Sequence, residues 1–327
     1  MKAIVCKQFG PPESLVIEDL PSPKPGPGQV VVSVKAAGLN FPDTLIIQDK
    51  YQVKPELPFT PGSELAGVVK ETGEGVTHLK PGDRVMGVVP FGAFAQECLA
   101  PAERMVQIPE GMDDKTAAAF LMTYGTSHHA LRNRLRAKAG ETLLVLGAAG
   151  GVGLAAVEIG KVLGMRVIAC ASSEDKLAVC REHGADECIN YHSEDLRARI
   201  KDLTGGKGVD VIYDAVGGAT TEAAFRSSAW RGRLLVVGFA AGDIPRMPLN
   251  LSLLMEREII GVHWGAWIPR AAKEFADEVE ELGAWFRTGS LRPHISGEYP
   301  MPKIGSAMHA MLARKVAGKL VLTMQDA

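Results

Sequence analysis

The second half of the chain alternates short apolar runs with segments whose apolar residues recur at helical spacing. Buried parallel strands are apolar along their whole length, and the helices that join them cover the faces of the sheet. The pattern therefore predicts a doubly wound α/β sheet of six parallel strands with crossover helices. The strands are predicted at residues 142–146, 166–171, 187–190, 209–215, 233–237 and 259–262, and the helices at 152–163, 174–183, 196–204 and 220–228.

The first part of the chain has a different pattern. Its β-rich runs are short and separated by Gly and Pro, which is typical of an irregular β-barrel-like domain. These runs lie at residues 30–36, 64–70, 84–89 and 94–99.

The length of the chain favours two domains. At 327 residues it exceeds the roughly 250–300 residues that one hydrophobic core usually supports. After the sixth strand come an amphipathic segment and a final apolar strand at 319–323, with no further strand–helix unit. This tail is expected to complete the first domain. We therefore predict one domain from residues 1–120 and 266–327, and a second from residues 121–265.

Charge and composition exclude several classes of partner. A formal net charge of −2 provides no positive field for nucleic acid or anionic lipid. No window approaches the ~18 apolar residues of a membrane helix, and the first residues lack a signal-peptide pattern. The five cysteines are scattered, which predicts reduced thiols and neither disulfides nor a zinc knuckle. The sequence thus predicts a cytoplasmic protein that binds no metal, nucleic acid or membrane.

A glycine-rich turn follows the strand at 142–146. It reads GAAGGVG, and an apolar helix begins within it. Gly150 lets the backbone approach a pyrophosphate, Gly153 lets helix and strand pack closely, and the helix N-terminus supplies N–H groups. We predict a Rossmann dinucleotide site that includes Ala149, Gly150, Gly151, Val152 and Gly153. Any tight strand-to-helix turn could also use such glycines, so the prediction depends on the strand order.

The end of the second strand favours NADPH over NADH. An NAD-binding fold usually has an acidic residue there, whereas this strand ends at Ser172 and Ser173, which leave room for a 2′-phosphate. Lys176 is near enough to pair with the phosphate, although it could equally be a solvated lysine. Glu174 and Asp175 could instead bind the ribose, but the first turn of a helix explains their carboxylates more simply. We also expect Tyr191, after the third strand, to cover the adenine.

Several motifs resemble the medium-chain dehydrogenase/reductase family, and the likeness extends over nearly the whole chain. Besides the glycine turn, they are NFPDTLIIQDKYQ, LPFTPGSE, YGTSHHAL, AWRGRLLVVGF and the terminal GKLVL, which are most similar to zeta-crystallin and the quinone oxidoreductases. The resemblance implies a Rossmann domain inserted in a GroES-like β-barrel domain, with the cofactor in the cleft between them. The zinc-dependent alcohol dehydrogenases have Cys and His ligands where this chain has Asn40 and Ser63. A zinc-free reductase is therefore expected.

The resemblance also implies residue roles. Asn40 would orient the ribose or the substrate, and Tyr51 would donate a proton to a developing oxygen anion; Tyr51 could instead belong to a surface loop. Further cofactor contacts are implied at Thr126, Gly238, Phe239, Trp264 and Lys319, the last near the 2′-phosphate. Phe239 and Trp264 could equally be core aromatics, and Lys319 a solvated lysine on an edge strand.

These observations lead to three functional hypotheses. The first is NADPH-dependent reduction of quinones, which are small-molecule electron acceptors. We expect the enzyme to be a homodimer that pairs through the sixth Rossmann strand. The second is NADPH-dependent reduction of an activated C=C bond in an alkenal, enone or enoyl thioester, which no single residue distinguishes from the first. The third is a crystallin-like protein that binds NADPH without much turnover.

Overall fold

Strands and helices follow one another along residues 1–324, the part of the chain that the computed structural model describes. Residues 325–327, the end of the segment predicted as 266–327, lie outside the described part. The strands are β1 (Lys2–Cys6), β2 (Leu15–Asp19), β3 (Gln29–Leu39), β4 (Glu64–Thr72), β5 (Arg84–Val88), β6 (Glu97–Pro101), β7 (Met105–Gln107), β8 (Thr142–Leu146), β9 (Arg166–Ala171), β10 (Glu187–Asn190), β11 (Val209–Asp214), β12 (Ser228–Val236), β13 (Glu258–Gly261), β14 (Ile295–Pro300) and β15 (Lys319–Thr323).

The helices include short ones that the sequence pattern did not predict. They are α1 (Phe41–Ile46), α2 (Asp114–Ala118), α3 (Thr126–His128), α4 (Gly151–Val162), α5 (Glu174–Glu182), α6 (Leu196–Leu203), α7 (Ala219–Arg226), α8 (Asn250–Met255), α9 (Trp264–Trp267), α10 (Ala272–Arg287) and α11 (Ile304–Leu312).

The predicted doubly wound parallel sheet is confirmed. Strands β8 to β13 pair in parallel in the order β10-β9-β8-β11-β12-β13. The order reverses direction at β8, which is the switch point where such sheets bind ligands. Central strands β8 and β9 are buried almost along their full length, because helices cover both faces.

The sheet lies in a compact unit that spans Thr123–Arg292. This unit includes α10, whereas the predicted domain boundary at residue 265 would assign that helix to the first domain. Glu278 of α10 bonds to His128 and Trp264, both within the same unit, which explains its place there. The predicted domain bounds themselves stay a prediction.

The other compact unit consists of Met1–Met122 and the residues from Pro293 onward. Its seven-stranded sheet follows the order β14-β15-β3-β4-β5-β7, with β6 also paired to β3. The eleven-residue strand β3 pairs with β6 through Gln29–Ser33 and with β15 through residues 36–39, because register shifts near Val34 bend it. The chain's last described strand therefore adds to the first unit's sheet beside the end of β3.

Candidate active and cofactor-binding sites

The turn between β8 and α4 has the geometry of a phosphate-binding loop. Gly147 has φ of +68°, and Gly150 is the extended N-cap residue of α4. A Cβ on Gly153 would lie 2.3 Å from the Gly147 carbonyl oxygen, so only glycine allows this helix to approach the turn so closely. The first helical turn contains no acidic residue. Its N–H groups and the positive end of the helix dipole therefore suit an anion such as a pyrophosphate.

A second turn, after β11, supports the glycine loop. A Cβ on Gly147 would lie 2.6 Å from Val216 Cγ2, so the two turns are in close contact. The buried Asp214 carboxylate fixes the second turn, because Oδ1 accepts the N–H groups of Val216 at 2.8 Å and Gly217 at 2.9 Å. Its Oδ2 accepts the hydroxyl of Thr221 at 2.5 Å. Asp214 had no predicted role, since its partners become visible only in the folded turn.

The turn after β12 lies beside the same region. The Gly238 N–H donates to the backbone oxygen of Asp214 at 3.2 Å. Phe239 packs against Gly217, where a Cβ would lie 2.9 Å from Phe239 Cδ1. Its ring is 37% exposed, so Phe239 is not a core aromatic. Gly238 and Phe239 thus lie near the glycine loop, and their contacts with a cofactor stay a prediction.

Ser172, Ser173, Lys176 and Tyr191 follow the ends of β9 and β10. Ser173 is the N-cap residue of α5, although its hydroxyl makes no capping hydrogen bond. Glu174 pairs with Arg181 at 2.5 Å on an exposed surface, in agreement with the expected solvent-directed carboxylate. The ring of Tyr191 packs against the apolar core of the sheet. The Tyr191 N–H donates to the Ala171 carbonyl at 3.3 Å, which places the tyrosine beside the end of β9.

Trp264 requires a correction. Its side chain is 2% exposed, and its Nε1 donates to Glu278 Oε1 at 2.7 Å. It covers Gly125, where a Cβ would lie 2.3 Å from Trp264 Cζ2. Trp264 is therefore a core aromatic, the alternative named above, and its ring has almost no exposed surface for the expected cofactor contact. Thr126, the half-buried first residue of α3, stays a predicted cofactor contact.

The other candidate site lies where β3 ends. Register places Gly38 opposite Glu64 of β4, and Leu39 opposite Leu320, the neighbour of Lys319 on β15. Asn40 follows β3 and is 6% exposed. Its Oδ1 accepts from Lys319 Nζ at 2.6 Å, and its Nδ2 donates to Glu64 Oε2 at 3.1 Å. Three strands thus bring these three polar side chains together in a buried cluster.

Asp43 explains the N-x-x-D spacing of the motif. As the third residue of α1, it accepts the Asn40 backbone N–H through Oδ2 at 2.7 Å, one half of a capping box. Its Oδ1 accepts the Ser63 hydroxyl at 2.9 Å. Burial raises the pKa of Asp43 to about 7, against the opposing effect of these hydrogen bonds and of the Lys319 charge. Asp43 thus orders the backbone at Asn40 and leaves the Asn40 side chain for other contacts.

Lys319 also requires a correction. It was expected near the 2′-phosphate, or else as a solvated lysine on an edge strand. The side chain is instead buried, β15 lies between β14 and β3, and Nζ pairs with Glu64 Oε2 at 2.8 Å. Because Glu64 and Asn40 bind the ammonium group, we reassign Lys319 from the cofactor phosphate to this cluster.

Tyr51 lies in the same unit, in the loop after α1. Its ring is half-buried and packs against the apolar core, so it is more than a surface-loop residue. Burial raises the pKa of Tyr51, and the charge of Asp43 raises it further. The phenol therefore keeps its proton at neutral pH, as a proton donor must. The role itself stays a prediction.

Sequence reasoning missed Glu64, although it stands in the PGSE motif next to Ser63. Glu64 is fully buried, and its Oε1 accepts the Met122 N–H at 2.8 Å. A buried carboxylate requires a cationic partner, and this one is 255 positions away in the chain. The available signal was a glutamate directly before the apolar run LAGVV of β4.

Two features are absent from residues 1–324, a metal-binding cluster and a membrane-spanning helix. No group of three or more His, Cys, Asp or Glu side chains is arranged to hold a metal ion. No helix in this range combines the length and the apolar character needed to cross a membrane.

Comparisons with known proteins agree with this geometry. Residues 26–110 match the family model of the alcohol dehydrogenase GroES-like domain, and residues 151–282 match that of zinc-binding dehydrogenases. The chain is 39% identical to the quinone oxidoreductase-like protein 2 homolog of Nematostella vectensis, over 98% of this chain and 88% of that protein.

Solved structures extend the comparison over nearly the full chain. The Escherichia coli quinone oxidoreductase in complex with NADPH has a TM-score of 0.93 at 29% identity, covering 99% of this chain and all of that one. A mycobacterial protein in complex with NADPH has a TM-score of 0.93 at 33% identity, with the same coverage. The GroES-like and Rossmann-like parts of the predicted fold are therefore confirmed. The chain belongs to the quinone oxidoreductases of the medium-chain dehydrogenase/reductase family.

Proposed function

We propose that this chain is an NADPH-dependent oxidoreductase that reduces quinones by hydride transfer without a metal. The observation that carries the proposal is the turn from Gly147 to Gly153. In this turn Gly147 has a left-handed conformation, Gly150 is the N-cap residue of α4, and only glycine fits at position 153. The turn lies at the switch point of the sheet. Relatives with NADPH bound support the choice of cofactor.

The preference for NADPH over NADH rests on the end of β9. Ser172 and Ser173 are small and neutral, and Glu174 is paired with Arg181. We propose that the 2′-phosphate binds beside these serines with Lys176, and that the adenine lies against Tyr191. The pyrophosphate would bind the backbone of Ala149, Gly150, Gly151, Val152 and Gly153.

NADPH, when bound, supplies a hydride to the electron-poor acceptor. In our proposal Asn40 hydrogen-bonds to a group of the ligand, and Tyr51 donates its proton to the oxygen on which negative charge develops. The raised pKa of Tyr51 keeps that proton available. Since water can also protonate a hydroquinone anion, Tyr51 assists quinone reduction but is not essential for it.

The half-buried phenol also favours a second candidate, reduction of an activated C=C bond in an alkenal, enone or enoyl thioester. That reaction leaves an enolate, which benefits from a positioned proton donor. A crystallin-like role, with NADPH bound but hardly turned over, is the third possibility. All three share the glycine loop, so turnover with different acceptors must distinguish them.

The experiment measures NADPH binding by fluorescence, with NADH as control, and then NADPH oxidation with an ortho-quinone, a para-quinone and a 2-alkenal. Quinone turnover would support the first candidate, alkenal turnover alone the second, and tight binding without turnover the third. Gly153→Ala should abolish binding, because its Cβ would collide with the Gly147 carbonyl. The matched control is Gly265→Ala in the same unit, where a Cβ meets no atom within 4 Å. Failure of the wild type to bind NADPH would refute the proposal.

We further propose that the chain forms a cytoplasmic homodimer through β13. This strand is at one end of the six-stranded order, and edge strands offer unpaired backbone groups. Ile259 on β13 is 43% exposed, and Leu253 and Leu254 on the preceding α8 are 80% and 66% exposed. Exposed apolar side chains of this kind favour contact with another protein surface, here a second copy of the chain. All five cysteines are free, which suits the reducing cytosol.

A further inference from the structure

The side-chain amide of Asn40 has a fixed orientation. Lys319 Nζ, which can only donate, lies 2.6 Å from one end, and the carboxylate oxygen Oε2 of Glu64 lies 3.1 Å from the other. Since an ammonium group requires an acceptor and a carboxylate requires a donor, the end facing Lys319 is Oδ1 and the end facing Glu64 is Nδ2. The two charged partners thus decide which way the amide points.

The neighbours of this amide leave it one hydrogen bond to make. Nδ2 has two hydrogens, with acceptors at Glu64 Oε2 and, at 3.3 Å, the Gly38 carbonyl. Oδ1 has two lone pairs, and Lys319 occupies one. Asn40 can therefore accept one further hydrogen bond, through Oδ1.

The Glu64 carboxylate, which fixes the donor end of the Asn40 amide, is itself held in place. Glu64 is fully buried, and its Oε1 is bonded to the Met122 N–H. A Cβ on Gly38 would lie 2.7 Å from Glu64 Oε2 and 2.1 Å from the Ala118 carbonyl, so the carboxylate occupies the space that the glycine leaves. Glu64 therefore has little room to move aside when a ligand binds, and Lys319 is held by its bonds to Asn40 and Glu64.

We propose that Glu64 and Lys319 are positioning residues that orient the Asn40 amide so that its oxygen accepts a hydrogen bond from a hydroxyl group of the bound ligand. This assignment rests on the proposed function. The hydroxyl belongs to the cofactor ribose or to a hydroxyl-bearing form of the substrate, and Asn40 does not donate to an oxyanion.

The test exchanges the amide of Asn40 and the carboxylate of Glu64 between the two positions. Asn40→Asp sets two carboxylates against each other, and Glu64→Gln sets an amide N–H₂ against Asn40 Nδ2 or Lys319. In the double variant Asn40→Asp/Glu64→Gln, Asp accepts from Lys319 and from Gln Nε2, while Gln Oε1 still accepts the Met122 N–H. Because Glu64 Oε2 also accepts from Lys319 Nζ at 2.8 Å, Gln Nε2 meets that ammonium group, and the exchange compensates only in part. The net charge of the cluster is conserved. The acceptor oxygen at position 40 is retained, whereas the Asn40 N–H₂ donor is removed.

Three readouts are compared for the wild type and the three variants: thermal unfolding without ligand, NADPH affinity by fluorescence, and kcat and KM for a quinone. We expect each single variant to lower the melting temperature and the double variant to recover part of the loss. We also expect Asn40→Asp to weaken a ligand readout by at least about tenfold and the double variant to recover part of it. Recovery in NADPH affinity would indicate a ribose hydroxyl, and recovery in KM or kcat alone a substrate hydroxyl.

Other outcomes would overturn the proposal in distinct ways. If the melting temperature of the double variant stays at or below those of the single variants, Glu64 and Lys319 do not orient residue 40. If it recovers and the ligand readouts do not, the Asn40 N–H₂ is needed as a donor. If the single variants leave every ligand readout unchanged, the orientation of the Asn40 amide does not control ligand binding, and the positioning role fails. If the wild type neither binds NADPH nor oxidises it, the proposed function fails together with the acceptor role, while the melting temperatures still decide the positioning role.

Discussion

His128 Nδ1 lies 3.0 Å from Glu278 Oε2, and both side chains are buried within the unit that spans Thr123–Arg292. On the other side of the ring, Nε2 lies 2.7 Å from Glu281 Oε2. Burial lowers the pKa of His128, but the hydrogen bonds and charges of the two glutamates outweigh it, so the pKa is raised. His128 thus links α3 to α10 through two hydrogen bonds that favour its protonated form.

The raised pKa predicts how stability depends on pH. Protonated His128 stabilises the folded state fully below the unfolded pKa of about 6.5, and this contribution is lost as pH rises through the higher folded pKa. The difference in melting temperature between the wild type and His128→Gln should therefore shrink as pH rises above about 6.5. Burial lowers the pKa of the neighbouring His129 to about 4, so it does not titrate in this window. His309→Gln, on the exposed surface, is the control, and a difference independent of pH would contradict the prediction.

The raised pKa of Asp43 predicts a second loss of stability with rising pH, over a lower pH range than that of His128. Its folded pKa of about 7 exceeds the ordinary value of 3.8, so its contribution is complete below pH 3.8 and is lost as pH rises through 7. The loss is at most ~4 kcal/mol at about 1.4 kcal/mol per pKa unit.

Asp43→Asn should remove this dependence. The Asn amide can accept the Asn40 N–H and donate to Ser63, as the protonated carboxyl does. The free energy of unfolding from urea titrations between pH 4 and 8 should be flatter for the variant than for the wild type. Exposed Asp19→Asn should leave the slope unchanged. A parallel slope in Asp43→Asn would mean that Asp43 is ionised throughout the range.

The parallel sheet was predictable because local sequence determines it. Strands such as β8 and β9 are short, apolar on both faces and bounded by helix signals, so their limits follow from the sequence itself. Strand β14 was not predicted, because Gly297 and Pro300 interrupt its pattern and it is stable only beside β15.

The candidate sites also differ in how far the local sequence determines them. Gly147, Gly150 and Gly153 serve a turn whose strand and helix are their neighbours in sequence, so the phosphate loop could be predicted. The roles of Lys319 and Trp264 were not predictable, since each depends on a buried carboxylate that only the fold brings close. A sequence pattern shows that a residue is charged or aromatic; it does not show whether the fold leaves it a free surface.

Trp264→Phe tests the reassignment of that residue. The variant keeps most of the packing over Gly125 but leaves Glu278 Oε1 without its indole donor, so it should lower the free energy of unfolding by about 1–3 kcal/mol. NADPH affinity should not change. Trp230→Phe, at a residue that is 56% exposed, should affect neither quantity. Weaker NADPH binding without loss of stability would restore Trp264 to the cofactor site.

The dimer proposal predicts the effect of one charge on β13. In a two-fold dimer joined by this edge, each strand faces its own copy, so Ile259→Lys introduces two lysines into the same apolar contact. A lysine on an edge strand also opposes pairing in general. The wild type should sediment at twice 34.9 kDa and the variant at 34.9 kDa. Val16→Lys on β2, at a residue of similar exposure, should remain dimeric, because that strand lies in the other unit. A dimeric Ile259→Lys would place the interface elsewhere, and a monomeric wild type would refute the dimer.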